Sequence, residues 1–282
     1  MIENGLRQRA SGFPARKQLG QNFLVNKEVL SKITEQLHLE SEDSVLEIGP
    51  GLGFLSELLV SQCKKVTAVE LDQYCIDALK KLSLTNLEII KGDFLQIDLN
   101  TVIDSPTKIV GNIPYNITTP IISKLLGEIG EPTTWLPNIK SIVLTVQREL
   151  ANRLIARPGK KDYSQITLLM NYYGTAEVLF AIGPENFSPP PQVHSAVVQL
   201  IPHDKIRVIC NNHKLLRRVI KLGFASRRKM LKNTLRLLGL SDDQLAKTFK
   251  ELNFDPQIRA ESLSLQQFAD LTDAIEKTQK LF

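Results

Sequence analysis

The sequence predicts an alternating α/β domain of Rossmann-like type followed by a small all-α domain, on three observations. Between Ser44 and Pro202, short apolar runs ending in Gly, Asp or Asn alternate with helical stretches. That is the pattern of a sheet covered by helices. The first run, Ser44-Val45-Leu46-Glu47-Ile48, leads into Gly49-Pro50-Gly51-Leu52-Gly53 and a helix with Phe54, Leu55, Leu58 and Leu59, the strand, glycine turn and helix that open a nucleotide-binding unit. After Pro202 only helical patterns remain. The expected division is a domain over 1–202, whose first 26 residues are a flexible arm and loop, and a helical domain over 203–282.

Composition bounds the function. The chain has 282 residues, of which 43% are hydrophobic, enough for a sizeable core in one large domain or two ordinary ones. No apolar run approaches the roughly 18–20 residues of a membrane helix, and the N-terminus lacks the apolar centre of a signal peptide. Cys63, Cys75 and Cys210 have no metal-ligand spacing, and a sparse, odd count fits a reducing compartment. The four histidines (His38, His194, His203, His213) are scattered. A cytoplasmic protein without metal or membrane partner is expected. The net charge of +5 conceals an asymmetry: Lys205 to Arg236 holds eleven Lys or Arg and no Asp or Glu, so the rest of the chain is net negative. Such a concentration of one sign reads as a footprint for a polyanion.

The elements follow in order. Residues 1–20 are polar and basic, as in an arm. Asn26 suits the N-cap of a helix with Val29, Leu30, Ile33 and Leu37 on one face, and Gly20 to Leu24 is a loop held against it. The glycine turn has Gly-x-Gly-x-Gly spacing, one residue shorter than the dinucleotide fingerprint, which argues against a pyrophosphate seat. The second strand, Lys65–Val69, ends in Glu70-Leu71-Asp72. An acid about 20 residues past the glycine turn accepts hydrogen bonds from ribose hydroxyls, which suits Glu70, whereas Asp72 caps the next helix. The third strand, Leu87–Lys91, ends in Gly92-Asp93-Phe94, where a carboxylate can accept the exocyclic amine of an adenine. These strand ends describe a pocket for an adenosine without phosphates, and S-adenosylmethionine is the natural occupant.

The fourth strand runs through Lys108-Ile109-Val110 into Gly111-Asn112-Ile113-Pro114-Tyr115. An amide, a backbone carbonyl and an aromatic ring side by side suit an amino group on a flat heterocycle. Thr119-Pro120 then opens an apolar helix, with Thr as N-cap and Pro at the first helical position. A strand over Ser141–Val146, a helix from Gln147, a helix over Ser164–Tyr172, and strands over Ala176–Ile182 and Ser195–Ile201 follow. Three prolines (Pro189–Pro191) stiffen the connection between those last two strands, and it presents Phe187. Helices over Lys214–Phe224, Arg227–Leu238, Ser241–Leu252 and Ser264–Lys280 complete the chain, the last opened by a Ser264…Gln267 capping box.

Taken together, Gly20-Gln-Asn-Phe-Leu24, Glu47-Ile-Gly-Pro-Gly-Leu-Gly53, Glu70-Leu-Asp72, Gly92-Asp93, Asn112-Ile-Pro-Tyr115, Phe187-x-Pro-x-Pro-x-Val-x-Ser195 and Arg227-Arg-Lys-x-Leu-x-Asn-x-Leu235 resemble the ribosomal RNA adenine N6-dimethyltransferases, in order and over nearly the whole chain. Within that family the chain is most similar to the bacterial small-subunit branch.

The resemblance implies a class I methyltransferase sheet of seven strands, the last antiparallel, and S-adenosylmethionine as methyl donor. It implies two adjacent adenosines as acceptors, in the 3′-terminal hairpin loop of 16S rRNA. The partner is then the small (30S) subunit or an assembly intermediate of it, met by a monomer with a role in subunit biogenesis. Cofactor contacts carried over are Asn22, Leu24, Gly49, Gly51, Glu70, Asp93 and Asn112. Asn112 Oδ1 and the Pro114 carbonyl would accept from N6, and Tyr115 and Phe187 would sandwich a base turned out of its stack. Arg217, Arg218, Arg227, Arg228, Lys229 and Lys232 are the expected RNA contacts. Two other readings remain: a 23S rRNA adenine N6-methyltransferase of the macrolide-resistance type, which shares the Asn-Ile-Pro-Tyr motif, and an rRNA-binding assembly factor without activity.

Overall fold

The computed structural model describes residues 2–13, 16–103 and 105–280. They form two compact units: 1–125, 133–151 and 176–202 make the first, and 126–132, 152–175 and 203–282 the second. One edge falls at Pro202/His203, where the sequence pattern changes. The second unit also takes in 126–132 and 152–175, which the pattern assigned to the first domain. Hydropathy reports that a segment is buried, not which core buries it; the Tyr173 hydroxyl, for example, donates to the Glu128 carbonyl within the second unit.

The chain runs through α1 (Ile2–Ser11), α2 (Lys27–Glu35), β1 (Ser44–Ile48), α3 (Ser56–Leu59), β2 (Lys65–Glu70), α4 (Gln73–Lys81), β3 (Leu87–Lys91), β4 (Thr107–Asn112), α5 (Thr118–Leu126), β5 (Ile139–Gln147), α6 (Arg148–Leu154), α7 (Gln165–Tyr173), β6 (Gly174–Ile182) and β7 (Ser195–Pro202). Seven strands form one sheet in the order β3-β2-β1-β4-β5-β7-β6. The strands from β3 to β5 pair in parallel, and β7 is antiparallel to β5, as expected. The central strands are buried on both faces, with Leu46, Val66, Ile109, Val110 and Ile142 at 0% exposure, so they read as continuous apolar runs. Gly111 is required at the sheet centre: a Cβ there would lie 2.7 Å from the Ile48 carbonyl oxygen.

Three local expectations need correcting. Residues 1–20 are not a bare arm: α1 occupies 2–11, Ala10 is 3% exposed in the core, and Arg9 donates to the Leu52 carbonyl at 3.1 Å. (Met1, Pro14 and Ala15 lie outside the described residues.) The helix after Tyr115 begins at Thr118 as a continuation of a 3₁₀ turn over Tyr115–Ile117, so Thr119 and Pro120 sit in its first turn. Pro120 fits there because no first-turn N–H has an intrahelical partner.

The second unit contains α8 (His213–Gly223), α9 (Leu231–Leu235), α10 (Asp242–Glu251) and α11 (Leu265–Lys280). Here the expected helix over Arg227–Leu238 shortens to α9 plus a 3₁₀ turn at 236–238, so Arg227-Arg228-Lys229 forms a turn instead. The Leu231 N–H is taken by the Ile258 carbonyl at 2.8 Å, which helps fix the start of α9. The Ser264–Gln267 capping box is present, with both reciprocal bonds made at 2.9 and 3.2 Å.

Candidate active site

The strand order reverses between β1 and β4, the place where open α/β sheets bind ligands. The register aligns the strand ends there: Ile48 is level with Val69 and Gly111, and Glu70 with Lys91. Gly49, Glu70, Gly92 and Asn112 therefore reach one rim. A pocket at that rim is lined by Asn22, Leu24, Gly49, Gly51, Glu70, Asp93, Asn112, Pro114 and Tyr115. Residues spread over more than ninety positions thus meet, and every proposed cofactor contact is among them.

Glu70 organises one end of the pocket. Its Oε1 accepts the N–H groups of Leu71 and Asp72 at 2.8 Å, and its Oε2 accepts that of Gly51 at 3.0 Å. Burial pushes its carboxyl above the usual range, against the pull of those three donors. Gly49, Gly51 and Gly53 have φ of 65°, 58° and 80°. Gly51 must be glycine twice over, because a Cβ would also lie 3.0 Å from the Phe23 ring. One oxygen of Asp93 takes the Leu95 N–H at 2.9 Å; the other has no donor among the described residues. A carboxylate that gathers N–H groups beside a tight glycine turn and a second one with a free oxygen suit the ribose and the amine of an adenosine.

Asn112 and Tyr115 define the other end. Asn112 Nδ2 donates to the Asn22 carbonyl at 2.9 Å, so its Oδ1 is left as an acceptor. The Tyr115 hydroxyl lies 2.5 Å from Ser195 Oγ, at the first residue of β7, which is fully buried. Burial raises the Tyr115 pKa, the Ser195 bond opposing it.

Two expected roles are not met by this arrangement. The Pro114 carbonyl is not a free acceptor, because it already takes the Ile117 N–H and the Thr118 hydroxyl, each at 3.2 Å. Phe187 is 1% exposed, belongs to the core cluster with Leu24 and Ile182, and does not line the pocket. The reason is local pairing. Phe187 and Ser188 form a short antiparallel ladder with Leu24 and Phe23, and Val25 N–H donates to the Asn186 carbonyl at 2.8 Å. The proline-stiffened connection thus fastens the loop over the pocket rather than presenting a ring to it.

Other contributors carried weaker sequence signals. Glu47 lines the pocket at 1% exposure and accepts from the Ser56 hydroxyl at 2.6 Å. Burial pushes its carboxyl up to about 7, with the Ser56 bond opposing and Glu70 adding to the shift. An acid inside an apolar strand was its one visible signal. Asp72 caps α4 through Tyr74 N–H at 3.0 Å, as expected, and also accepts from Gln21 Nε2 at 2.9 Å, which ties the N-terminal loop to the strand ends. Among the described residues there is no cluster of His, Cys, Asp and Glu that could hold a metal.

In the second unit the expected RNA contacts divide. Arg217 is spent on ion pairs with Glu128 and Glu131, and Arg227 on the Lys161 carbonyl and Glu261. Arg218, Arg228 and Lys229 are exposed and form no ion pair with any described residue, and Lys232 is half-buried in α9.

A pocket at the switch point of a seven-stranded sheet in which β7 runs antiparallel to β5 defines a class I, Rossmann-like methyltransferase domain. Residues 12–277 match the family model described as ribosomal RNA adenine dimethylase. The ribosomal RNA small subunit methyltransferase A of Clostridium acetobutylicum is 40% identical over 263 residues, 92% of this chain and 93% of that one. Its counterpart from Synechococcus elongatus is 39% identical over 266 residues, 92% of this chain and 94% of that one. Among solved structures, a dimethyladenosine transferase from Plasmodium falciparum matches with a TM-score of 0.73 at 26% identity, over 90% of this chain and 97% of that one. The 23S rRNA methyltransferase ErmE shares the fold, with a TM-score of 0.68 at 24% identity over 90% of this chain and 100% of that one. The chain belongs to the ribosomal RNA adenine dimethylase family, and is thus an rRNA adenine methyltransferase.

Proposed function

We propose that this chain dimethylates N6 of two adjacent adenosines in the 3′-terminal hairpin loop of 16S rRNA, using S-adenosylmethionine. The observation that carries the reading is the pair of polar ends of one pocket: Glu70 with its three N–H donors at one, and Asn112 with Oδ1 unspent at the other. When bound, the donor supplies an electrophilic sulfonium methyl, so no metal or covalent intermediate is needed. Glu70 takes the ribose hydroxyls, Asp93 the adenine amine, and Asn22, Leu24, Gly49 and Gly51 close around the donor.

An adenine N6 amine is a weak nucleophile because its lone pair is delocalised into the ring. Asn112 Oδ1 accepts one N6 hydrogen and draws electron density toward the nitrogen. With the Pro114 carbonyl occupied by its own turn, one acceptor remains, which leaves the second N6 position open to carry a methyl group and rebind. Tyr115 supplies a stacking face for the flipped base, worth roughly 1–3 kcal/mol. A second face from Phe187 requires that ring to leave the core. The setting we expect is a monomer in the cytoplasm acting on an immature small subunit. Among the described residues no helix is long and apolar enough to cross a membrane.

The test is transfer of labelled methyl groups to small and large subunits that lack these modifications, with Asn112→Ala as control. Label in the two adjacent adenosines of 16S rRNA is expected. Label in 23S rRNA alone would overturn the substrate, and binding to subunits without any transfer would favour an assembly factor.

A further inference from the structure

The second unit also holds exposed cations outside its basic sequence run, at Arg157, Lys160 and Lys161. Between α6 and α7, Arg157-Pro158-Gly159-Lys160-Lys161 forms two successive tight turns. Lys160 N–H closes onto the Arg157 carbonyl at 3.1 Å, and Tyr163 N–H onto the Lys160 carbonyl at 3.0 Å. Gly159, with φ of 80°, allows the reversal.

This loop is pinned to the Arg227–Lys229 turn, far away in sequence, through one residue. Glu261 accepts the Gly159 N–H on its carbonyl at 2.7 Å, and its carboxylate lies 3.6 Å from Arg227 Nε. Arg227 Nη2 completes the circuit by donating to the Lys161 carbonyl. Beneath the loop, Tyr163 is fully buried, with its ring 6.2 Å from that of Phe224 at the end of α8. Both segments are therefore held by tertiary bonds. Arg157, Lys160, Lys161, Arg228 and Lys229 are exposed, and none forms an ion pair within 4.0 Å with any described residue.

We propose that these five cations form one composite face that engages the backbone phosphates of rRNA. Arg227 acts as a positioning residue that holds the 157–161 loop in place, its own guanidinium being spent. The proposal rests on the rRNA reading of the site. Exposed cations on two segments tied to each other, none of them in an ion pair with a described residue, attract a polyanion. RNA helices are held mainly through phosphate and shape, which suits main-chain turns that set the positions of the charges. Because the turns are pre-formed, less ordering cost falls on binding.

The experiment uses the full chain and unmodified small subunits, with binding measured over a salt series. One variant is Arg157→Ala/Lys160→Ala/Lys161→Ala, and a second is Arg228→Ala/Lys229→Ala. A control of equal charge change in the first unit is Lys32→Ala/Lys80→Ala/Lys81→Ala, all exposed. Each lost phosphate contact lowers the slope of log affinity against log salt by ~0.7–0.9. The loop variant should lose about 2 units of slope and at least tenfold in affinity near 0.1 M salt, with the control within about twofold and S-adenosylmethionine affinity unchanged.

Wild-type slope in the loop variant, alongside a weakened turn variant, would overturn the composite face while leaving the rRNA reading intact. An equal loss in the control would overturn it in favour of bulk charge. Failure of the wild type to bind subunits would overturn both readings. For Arg227, the Arg227→Lys variant keeps the charge but loses the two-ended tie. Faster amide exchange at Gly159 and Tyr163 is expected in it, and unchanged exchange would remove the positioning role.

Discussion

Asn112 and Asn22, ninety residues apart, are joined side chain to main chain: Asn112 Nδ2 donates to the Asn22 carbonyl at 2.9 Å. That bond decides which way the amide points. Its donor end faces the N-terminal loop, and its acceptor end takes no hydrogen bond from any described residue. The same bond makes the loop part of the site.

Asn112→Asp therefore separates the two jobs. A carboxylate keeps the acceptor but cannot donate to Asn22. Loss of about 10²-fold or more in transfer rate is expected for both Asn112→Ala and Asn112→Asp, the scale found when one preorganised hydrogen bond at a reacting centre is removed. Single-turnover methyl transfer checks this. A near-normal rate in Asn112→Asp would mean that the bond to Asn22 does not matter.

The Tyr115–Ser195 contact at 2.5 Å ties the Tyr115 ring, the proposed stacking face, to a buried strand end. Tyr115→Ala removes both ring and anchor, and should cost roughly 1–3 kcal/mol of RNA-substrate binding. Tyr115→Phe and Ser195→Ala keep the ring, and should lower the rate several-fold while RNA affinity stays near wild type. If the two milder variants match Tyr115→Ala, the hydroxyl and not the ring is what matters.

Gly51→Ala tests the glycine turn. At φ of 58°, with the Phe23 ring 3.0 Å from the new Cβ, the turn must shift, and the Gly51 N–H leaves Glu70. Calorimetric titration should show S-adenosylmethionine affinity at least tenfold weaker in the folded variant. Unaltered affinity would remove Gly51 from the donor site.

Glu47 makes stability depend on pH. Below about pH 4.5 its carboxyl is protonated in both folded and unfolded chains and contributes no pH dependence. Between there and about 7, the pH to which burial raises its native titration, the unfolded chain ionises while the folded chain keeps its proton. Stability from this group falls over that window by a few kcal/mol at most, at ~1.4 kcal/mol per pH unit. Glu47→Gln should thus gain on the wild type between pH 5 and pH 8 in urea unfolding. A gap that stays constant with pH would show that Glu47 titrates normally.

Much of this molecule follows from local sequence. The strand ends Glu70, Asp93 and Asn112 and the Gly49–Gly53 turn were readable because each motif sits where a short apolar run stops. Asn26, Asp72 and Ser264 were readable as caps because capping acts over two or three residues. The charge asymmetry after Lys205 was equally plain. Long-range pairing was not. Phe187 read as a presented ring because three prolines follow it closely, yet two residues of ladder with Phe23 and Leu24 bury it.

The sequence by itself determined the sheet class, the motifs at the strand ends and the basic character of the helical part, since these rest on periodicity, turn chemistry and charge count. Only the tertiary structure decided which groups remain available. Asn112 is turned by Asn22, Pro114 is consumed by its own turn, Arg217 and Arg227 are neutralised by acids distant in sequence, and Arg157, Lys160 and Lys161 form no ion pair with any described residue. A hydrogen bond or an ion pair uses up a donor or a charge wherever its partner lies in the chain, and that accounting exists only once the chain has folded.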